Sequence, residues 1–311
     1  MRYRKLGASG LEVSEIALGS YLTYGQHVDR EGAKACVYAA ADAGINLFDT
    51  ADGYGDSETI LGDALRELPR RAFVIATKCY LPQSKAANDR GLSRKHIVES
   101  VDRSLSRLRV SYLDLMQCHR FDAETPLDET VQALDDLVRQ GKVLYWGVCR
   151  FDAEQTAAVA ARARALGARA PVSNQHPYSL LNRDVETEVL PACQAAGLGL
   201  LAYYPLAQGV LTGKYGNSGA PPGESRASDL ELRKSMWDYQ PDKLARAARI
   251  ADVAREVGVT PAQLALAWCL RQSAVSSVIT GASQPAQIKE NSRASEVVLD
   301  DETVRRIQDL R

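Results

Sequence analysis

The chain has 311 residues, 45% of them hydrophobic, and a formal net charge of −1. That length suits one large α/β domain or two small ones, and the charge balance gives no electrostatic reason to expect a nucleic-acid or anionic-membrane partner. Six scattered cysteines and four histidines form no CxxC pair and no metal-ligand spacing, so no metal site is expected and the thiols read as reduced and mostly buried.

The N-terminal stretch MRYRKLGASGLEVS lacks the apolar core of a signal peptide, and later apolar runs are too short to span a bilayer. A cytoplasmic protein without membrane insertion is the expectation. Apolar runs follow at 16–20, 45–50, 73–79, 112–119, 143–149, 171–175, 198–204 and 276–281. Near-continuous apolar runs fit strands buried on both faces. Between them lie segments of helical period. Residues 30–43 carry Ala33, Cys36, Val37 and Ala40 on one face and stop before Gly44. Ser93 is placed to cap a helix over 94–108, with His96 where an acid is usual. Residues 127–140 align Val131, Leu134, Leu137 and Val138 and stop at Gly141. Thr260-Pro261 opens a further helix, and another covers 300–310; these two exceed the crossovers a barrel needs and read as appended. The Gly/Pro/Ser-rich stretch 216–229 precedes the eighth strand, so it reads as a long active-site loop rather than a linker.

Strand–helix alternation implies right-handed parallel crossovers. A doubly wound sheet is the rival, but its glycine fingerprint is missing after the first strand. Gly197, Gly199 and Ala202 match GxGxxA by letter, yet they precede and enter a strand, so the match reads as chance. Gly209–Lys214 is one residue short of a P-loop and lacks its hydroxyl residue.

In α/β barrels the chemistry projects from the C-terminal ends of strands. Asp49 ends the second run, Lys78 lies near the end of the third and His119 ends the fourth, while Tyr54 follows Asp49 in the same loop. Taken singly, each has an ordinary reading: a cap, a solvated strand end, a rim histidine, turn packing. Convergence on one face favours chemistry. A carbonyl that accepts hydride needs a proton donor; a phenol supplies it, a neighbouring ammonium lowers its pKa, and an imidazole orients the substrate oxygen. The hydride must come from a nicotinamide cofactor.

At these residues the chain resembles the aldo-keto reductases over nearly its whole length. The carriers are LGASGLEVS (6–14), FDTADGYGDSE (48–58), VIATK (74–78), DLMQCHR (114–120), YYPLAQGVLTGKY (203–215) and SVITGASQPAQIKEN (277–291). The branch containing the potassium-channel β subunits and their bacterial reductase relatives is suggested by GLSRKHI (91–97), SRAS (225–228), AWCLR (267–271) and Gly-Ala-Ser at 281–283. The resemblance implies an α/β fold, a (β/α)8 TIM barrel over 1–311 with an N-terminal β-hairpin beside the two appended helices. It implies Tyr54 as general acid, Asp49 and Lys78 as its tuners and His119 as substrate orienter. It implies NADP(H) across the barrel mouth: Tyr203 stacked on nicotinamide, Gln175 on the carboxamide, and Ser20, Tyr21 and Asp49 nearby. Cys149 and Arg150 stand where Ser-Asn is usual. Pro205, Leu206, Gln208 and Lys214 line the pyrophosphate, and Ser283, Gln287, Glu290 and Asn291 the adenosine end. Gly281 and Gln287 occupy positions where many members carry Lys and Arg for the 2′-phosphate; Arg226, in the long loop, is the expected replacement. The channel subunits of that branch carry Asn where this chain has His119.

The leading expectation is a reductase of small carbonyl substrates. The alternative is a redox-sensing regulatory subunit that holds cofactor, turns over slowly and docks on a membrane channel-like partner. The resembled branch implies a homo-oligomer. Substrate shape is expected from the loops 21–28, 80–90, 120–125 and 216–238, with Tyr21, Tyr24, Tyr80 and Trp237 as aromatic lining.

Overall fold

The computed structural model describes residues 1–21, 24, 28–216, 221–223 and 225–310. The chain opens with an antiparallel hairpin, β1 (Tyr3–Lys5) and β2 (Glu12–Ser14). Eight parallel strands follow: β3 (Ile16–Gly19), β4 (Leu47–Asp49), β5 (Val74–Cys79), β6 (Leu113–Cys118), β7 (Val143–Cys149), β8 (Ser173–Pro177), β9 (Gly199–Tyr203) and β10 (Val275–Thr280). They close in the order β10-β3-β4-β5-β6-β7-β8-β9. Every run read from the sequence carries one barrel strand.

The helices of the first seven crossovers are α1 (Arg30–Asp42), α2 (Ser57–Leu65), α3 (Arg94–Leu108), α4 (Leu127–Arg139), α5 (Ala153–Ala165) and α6 (Val189–Ala196), then α7 (Leu230–Lys234), α8 (Pro241–Glu256) and α9 (Pro261–Leu270) between β9 and β10. α10 (Pro285–Ser292) and α11 (Asp301–Asp309) end the chain. Local chemistry sets their starts. Ser93 accepts from the His96 amide at α3, and Thr260 and Gln263 form a reciprocal capping box at α9. Gly44 and Gly141 adopt positive φ just past α1 and α4, where a side chain would strain the turn.

One assignment changes. The sequence reading makes α9 an appendage, but nine of its residues, from Ala262 through Leu270, are buried and it packs on β10, so it is the crossover helix. A helix buried all round belongs inside the helical layer. α8 buries only the stripe Ala247, Ile250, Val253 and Ala254 and lies against α11; α8 and α11 are the two appended helices.

Two cores result. The larger lies between strands and helices. The smaller fills the barrel with Ala17, Leu47, Val74, Ala76, Leu115 and Leu201, and is joined from the hairpin by Leu6 and Val13. Each buried Leu or Val contributes about 1.5–3 kcal/mol. The hairpin is pinned by Glu15, which accepts from Arg4 Nε at 2.7 Å and Arg2 Nε at 3.2 Å. With the hairpin packed into the lumen at the N-terminal ends of the strands, the C-terminal ends are left to form the open mouth. Among the described residues no helix is long and apolar enough to cross a membrane. All six cysteines are buried free thiols.

Candidate active site

β4 and β5 pair in register, with Asp49 beside Ala76, so the side chains at their ends meet. Lys78 Nζ donates to Asp49 Oδ1 at 2.6 Å and to the Thr50 carbonyl at 2.8 Å. Lys78 is fully buried and Asp49 is 5% exposed, so this is a desolvated ion pair that must be complete to be tolerated. The second carboxylate oxygen of Asp49 accepts from Gln175 Nε2 at 2.8 Å and, more weakly, from Gln117 Nε2 at 3.4 Å. Gln117, on β6, lies within the motif DLMQCHR, which assigns it no role; its inward register on a strand whose neighbour carries Lys78 is the signal that points to one.

Tyr54 stands over this pair, with Lys78 Nζ 5.2 Å from its ring centroid. The expectation that the ammonium lowers the phenol pKa is not met. Burial first, and the Asp49 carboxylate second, push Tyr54 well above its ordinary range. The physical reason is that the charge of Lys78 is taken up by its 2.6 Å contact with Asp49. Tyr54 is therefore a neutral phenol throughout the neutral pH range.

His119 packs edge-on to Tyr54, ring centroids 5.7 Å apart. Burial, then the charges of Lys78, Arg120 and Arg150, lower its pKa to about 3, so the imidazole is neutral. Its Nδ1 is buried without a hydrogen-bond partner. A buried N–H without an acceptor is costlier than a bare lone pair, which puts the single proton on Nε2, the nitrogen left accessible to the cavity.

Above these groups opens a cavity of about 1130 Å³. Its wall includes Asp49, Tyr54 and His119, and every cofactor residue named from the resemblance except one. Tyr21, Cys149, Arg150, Gln175 and Tyr203 line the end near the phenol. Pro205, Leu206, Gln208, Lys214 and Arg226 line the middle, and Gly281, Ser283, Gln287, Glu290 and Asn291 the side formed by β10 and α10. The exception is Ser20, 2% exposed, whose hydroxyl donates to the Asp49 carbonyl at 3.1 Å. The Cys149 thiol is pushed up to about 12 by burial and is no nucleophile.

Aromatic lining differs in part from expectation. Tyr21 and Trp237 border the cavity, joined by Tyr204, which the sequence reading did not single out. Tyr204 bridges them, with centroids 6.4 Å from Tyr21 and 5.2 Å from Trp237. Tyr24 is 2% exposed within the main core and Tyr80 packs against it, so neither lines the cavity. Of the loops assigned to substrate shape, positions 22–23, 25–27, 217–220 and 224 lie outside the described residues.

The donor set fits a dinucleotide. Gln175 spends its amide N–H on Asp49, which leaves its carbonyl oxygen for a carboxamide donor. After β9, Tyr204, Ala207 and Gln208 all hold positive φ, of 55°, 48° and 56°. Left-handed non-glycine residues cost on the order of 1–3 kcal/mol each and cluster at ligand sites, where such turns expose successive backbone N–H groups to anions. Lys214 lies over Gly209, where an added Cβ would meet its Nζ at 3.2 Å. Desolvation, then Arg226, lowers the Lys214 pKa. Neither cation has a salt-bridge partner among the described residues. Ser283 and Gln287 join across the first turn of α10, whose N-cap Gln284 makes no side-chain bond to the helix amides.

Comparison with known proteins shows the family. The model of the aldo/keto reductase family matches residues 15–311. A protein of Arabidopsis thaliana named as a voltage-gated potassium channel subunit beta is 43% identical over 305 residues, covering 96% of this chain and 92% of that one. A protein of Oryza sativa subsp. japonica with the same name is 42% identical over 304 residues, with 96% and 92% coverage. A protein of Schizosaccharomyces pombe named as a voltage-gated potassium channel subunit beta is 40% identical over 319 residues, covering 99% and 92%.

Proposed function

The chain belongs to the aldo/keto reductase family, and we propose that it reduces aldehyde or ketone carbonyls to alcohols with NADPH. The observation that carries the reading is the pairing of a neutral phenol and a neutral imidazole, 5.7 Å apart, at one end of a large cavity and above a buried Lys78–Asp49 pair. In this reading Tyr203, Gln175, the 204–208 turn, Lys214, Arg226 and the 281–291 segment hold the cofactor, which supplies the hydride.

The protein's own part is proton supply and alignment. Substrate oxygen sits between Tyr54 Oη and His119 Nε2–H, both donors. As negative charge develops on that oxygen, the two hydrogen bonds strengthen, which is differential stabilisation of the transition state. Tyr54 then gives up its proton. A phenol above its ordinary range still protonates an alkoxide, a far stronger base. Lys78, held by Asp49, faces the phenolate that remains. Asp49 in turn is fixed by Gln175 and Gln117, so the donor is oriented before substrate arrives. At neutral pH the same upward shift keeps Tyr54 protonated, the form that carbonyl reduction requires.

The names of the relatives support a second reading, a cofactor-holding regulatory subunit with slow turnover. The test measures NADPH oxidation against aldehydes and ketones for wild type and Tyr54→Phe. Multiple turnovers are expected, with a loss of about 10²–10⁴-fold in the variant and unchanged NADPH affinity. A single turnover per bound cofactor would favour the subunit, and a Tyr54→Phe rate within a few-fold of wild type would remove Tyr54 from the mechanism.

A further inference from the structure

The cavity carries two separate pairs of cations. Lys214 and Arg226 interact with one another and reach Tyr204 and Tyr215. Arg120 and Arg150 form the other pair. They follow β6 and β7, which pair in register up to Cys118 beside Val148, so the next residues of the two strands run side by side. Both line the cavity, and neither has a salt bridge among the described residues. Their charges fall on the same three groups, His119, Cys149 and Tyr203. Arg150 also holds φ at 59°, a left-handed conformation with its amide bonded to the Gln175 carbonyl at 2.9 Å. A strained arginine held by its backbone beside the reacting groups is a feature that an unconstrained surface residue has no reason to keep.

The anionic part of a dinucleotide lies in its phosphates, for which the Lys214–Arg226 pair is placed. The nicotinamide end, where the resemblance places Arg150, carries no anionic group, so the guanidinium finds no oxyanion on the cofactor there. The charge of Arg120 and Arg150 is therefore left for the substrate. We propose that Arg120 and Arg150 form an anion subsite that makes carbonyl compounds bearing a carboxylate or phosphate the preferred substrates. The inference rests on the reductase reading and names its substrate class. The guanidinium forks suit both oxyanions, whose planar or tetrahedral oxygens accept paired N–H donors. Anchored there, the substrate presents its carbonyl to His119 and Tyr54. Arg120 is a specificity residue, exposed at the cavity rim, and none of the cofactor contacts assigned above uses it.

The test compares kcat/KM for matched aldehydes with saturating NADPH: succinic semialdehyde against butanal for carboxylate, and glycolaldehyde phosphate against glycolaldehyde for phosphate. Wild type is expected to prefer the charged member at least about tenfold, and Arg120→Gln to lose about tenfold of that ratio, the usual worth of one charge-assisted contact. A preference in only one pair supports the subsite and identifies its oxyanion. Equal rates within both pairs, or a ratio unchanged in Arg120→Gln, overturns it. Calorimetric titration of the NADPH-loaded protein with succinate separates the two levels of argument. Binding that weakens in Arg120→Gln keeps the subsite even where no aldehyde is reduced, in which case the reductase reading alone fails. Binding absent or indifferent to Arg120 overturns the subsite while reduction of butanal leaves the reductase reading standing.

Discussion

Replacing Lys78 by Met tests the centre of the site through stability, independently of catalysis. Lys78 is fully buried and Asp49 is 5% exposed, so the variant leaves a carboxylate in the barrel mouth without its ammonium. Breaking a buried pair from one side typically costs about 3–5 kcal/mol. Here two neutral donors stay on Asp49, from Gln175 at 2.8 Å and Gln117 at 3.4 Å, and offset part of the penalty. The Thr50 carbonyl, however, loses the donor it has at 2.8 Å. The balance places the loss near the lower end, about 3 kcal/mol. In a chain of this size that is a fall in Tm of roughly 5 °C. Urea denaturation followed by circular dichroism measures it. The second arm is the double variant Lys78→Met with Asp49→Asn, which removes the stranded charge and should regain about half of the loss or more. A single-variant cost under about 1 kcal/mol, or a double variant no more stable than the single, would refute the view that the two groups form one desolvated unit.

Three further outcomes follow from the same geometry. Arg226→Ala should weaken NADPH binding about tenfold or more and NADH much less, measured as dissociation constants; equal losses would assign Arg226 to the part both cofactors share. His119, lowered to about 3 by burial and by neighbouring cations, should show a neutral imidazole by NMR across pH 5–9. Because its folded pKa lies below its unfolded value of about 6.5, the unfolded chain binds the extra proton, so this stability is complete above pH 6.5 and is lost as pH falls toward 3; a titration midpoint above pH 6 would contradict the buried placement. Asp52 is raised to about 7, by burial first and Glu58 second, against Ser100, Arg107 and Arg103. Its folded pKa exceeds the unfolded one, so stability falls as pH rises from 4 to 7, and Asp52→Asn should raise Tm at pH 8 and change little at pH 5. An equal effect at both pH values would mean that the charge of Asp52 is not what destabilises.

Periodicity and residue type suffice for the barrel strands, because a strand buried on both faces is apolar over most of its length, and 73–79, Thr77 and Lys78 apart, reads that way without help from neighbours. Caps are equally local: Ser93 and Thr260 meet amides three residues on. The role of α9 is different. Whether PAQLALAWCL is buried all round or on one side depends on which surface receives it, and only the closed barrel supplies that surface. The site divides along the same line. Asp49, Tyr54, Lys78 and His119 announce themselves because polar residues near the ends of apolar runs share one face of the barrel, a consequence of parallel strands. Gln117 and Tyr204 carry no such mark, and Tyr24 sits in the core rather than on the cavity wall, since direction of a side chain is set by packing rather than by spacing. The state of Tyr54 lay furthest from the sequence. An ammonium near a phenol lowers its pKa in isolation, yet here Asp49 stands 2.6 Å from that ammonium and burial acts on the phenol as well. Residue types name the participants; which charge is neutralised by which partner is a matter of distances of a few ångströms, and those exist only in the folded chain.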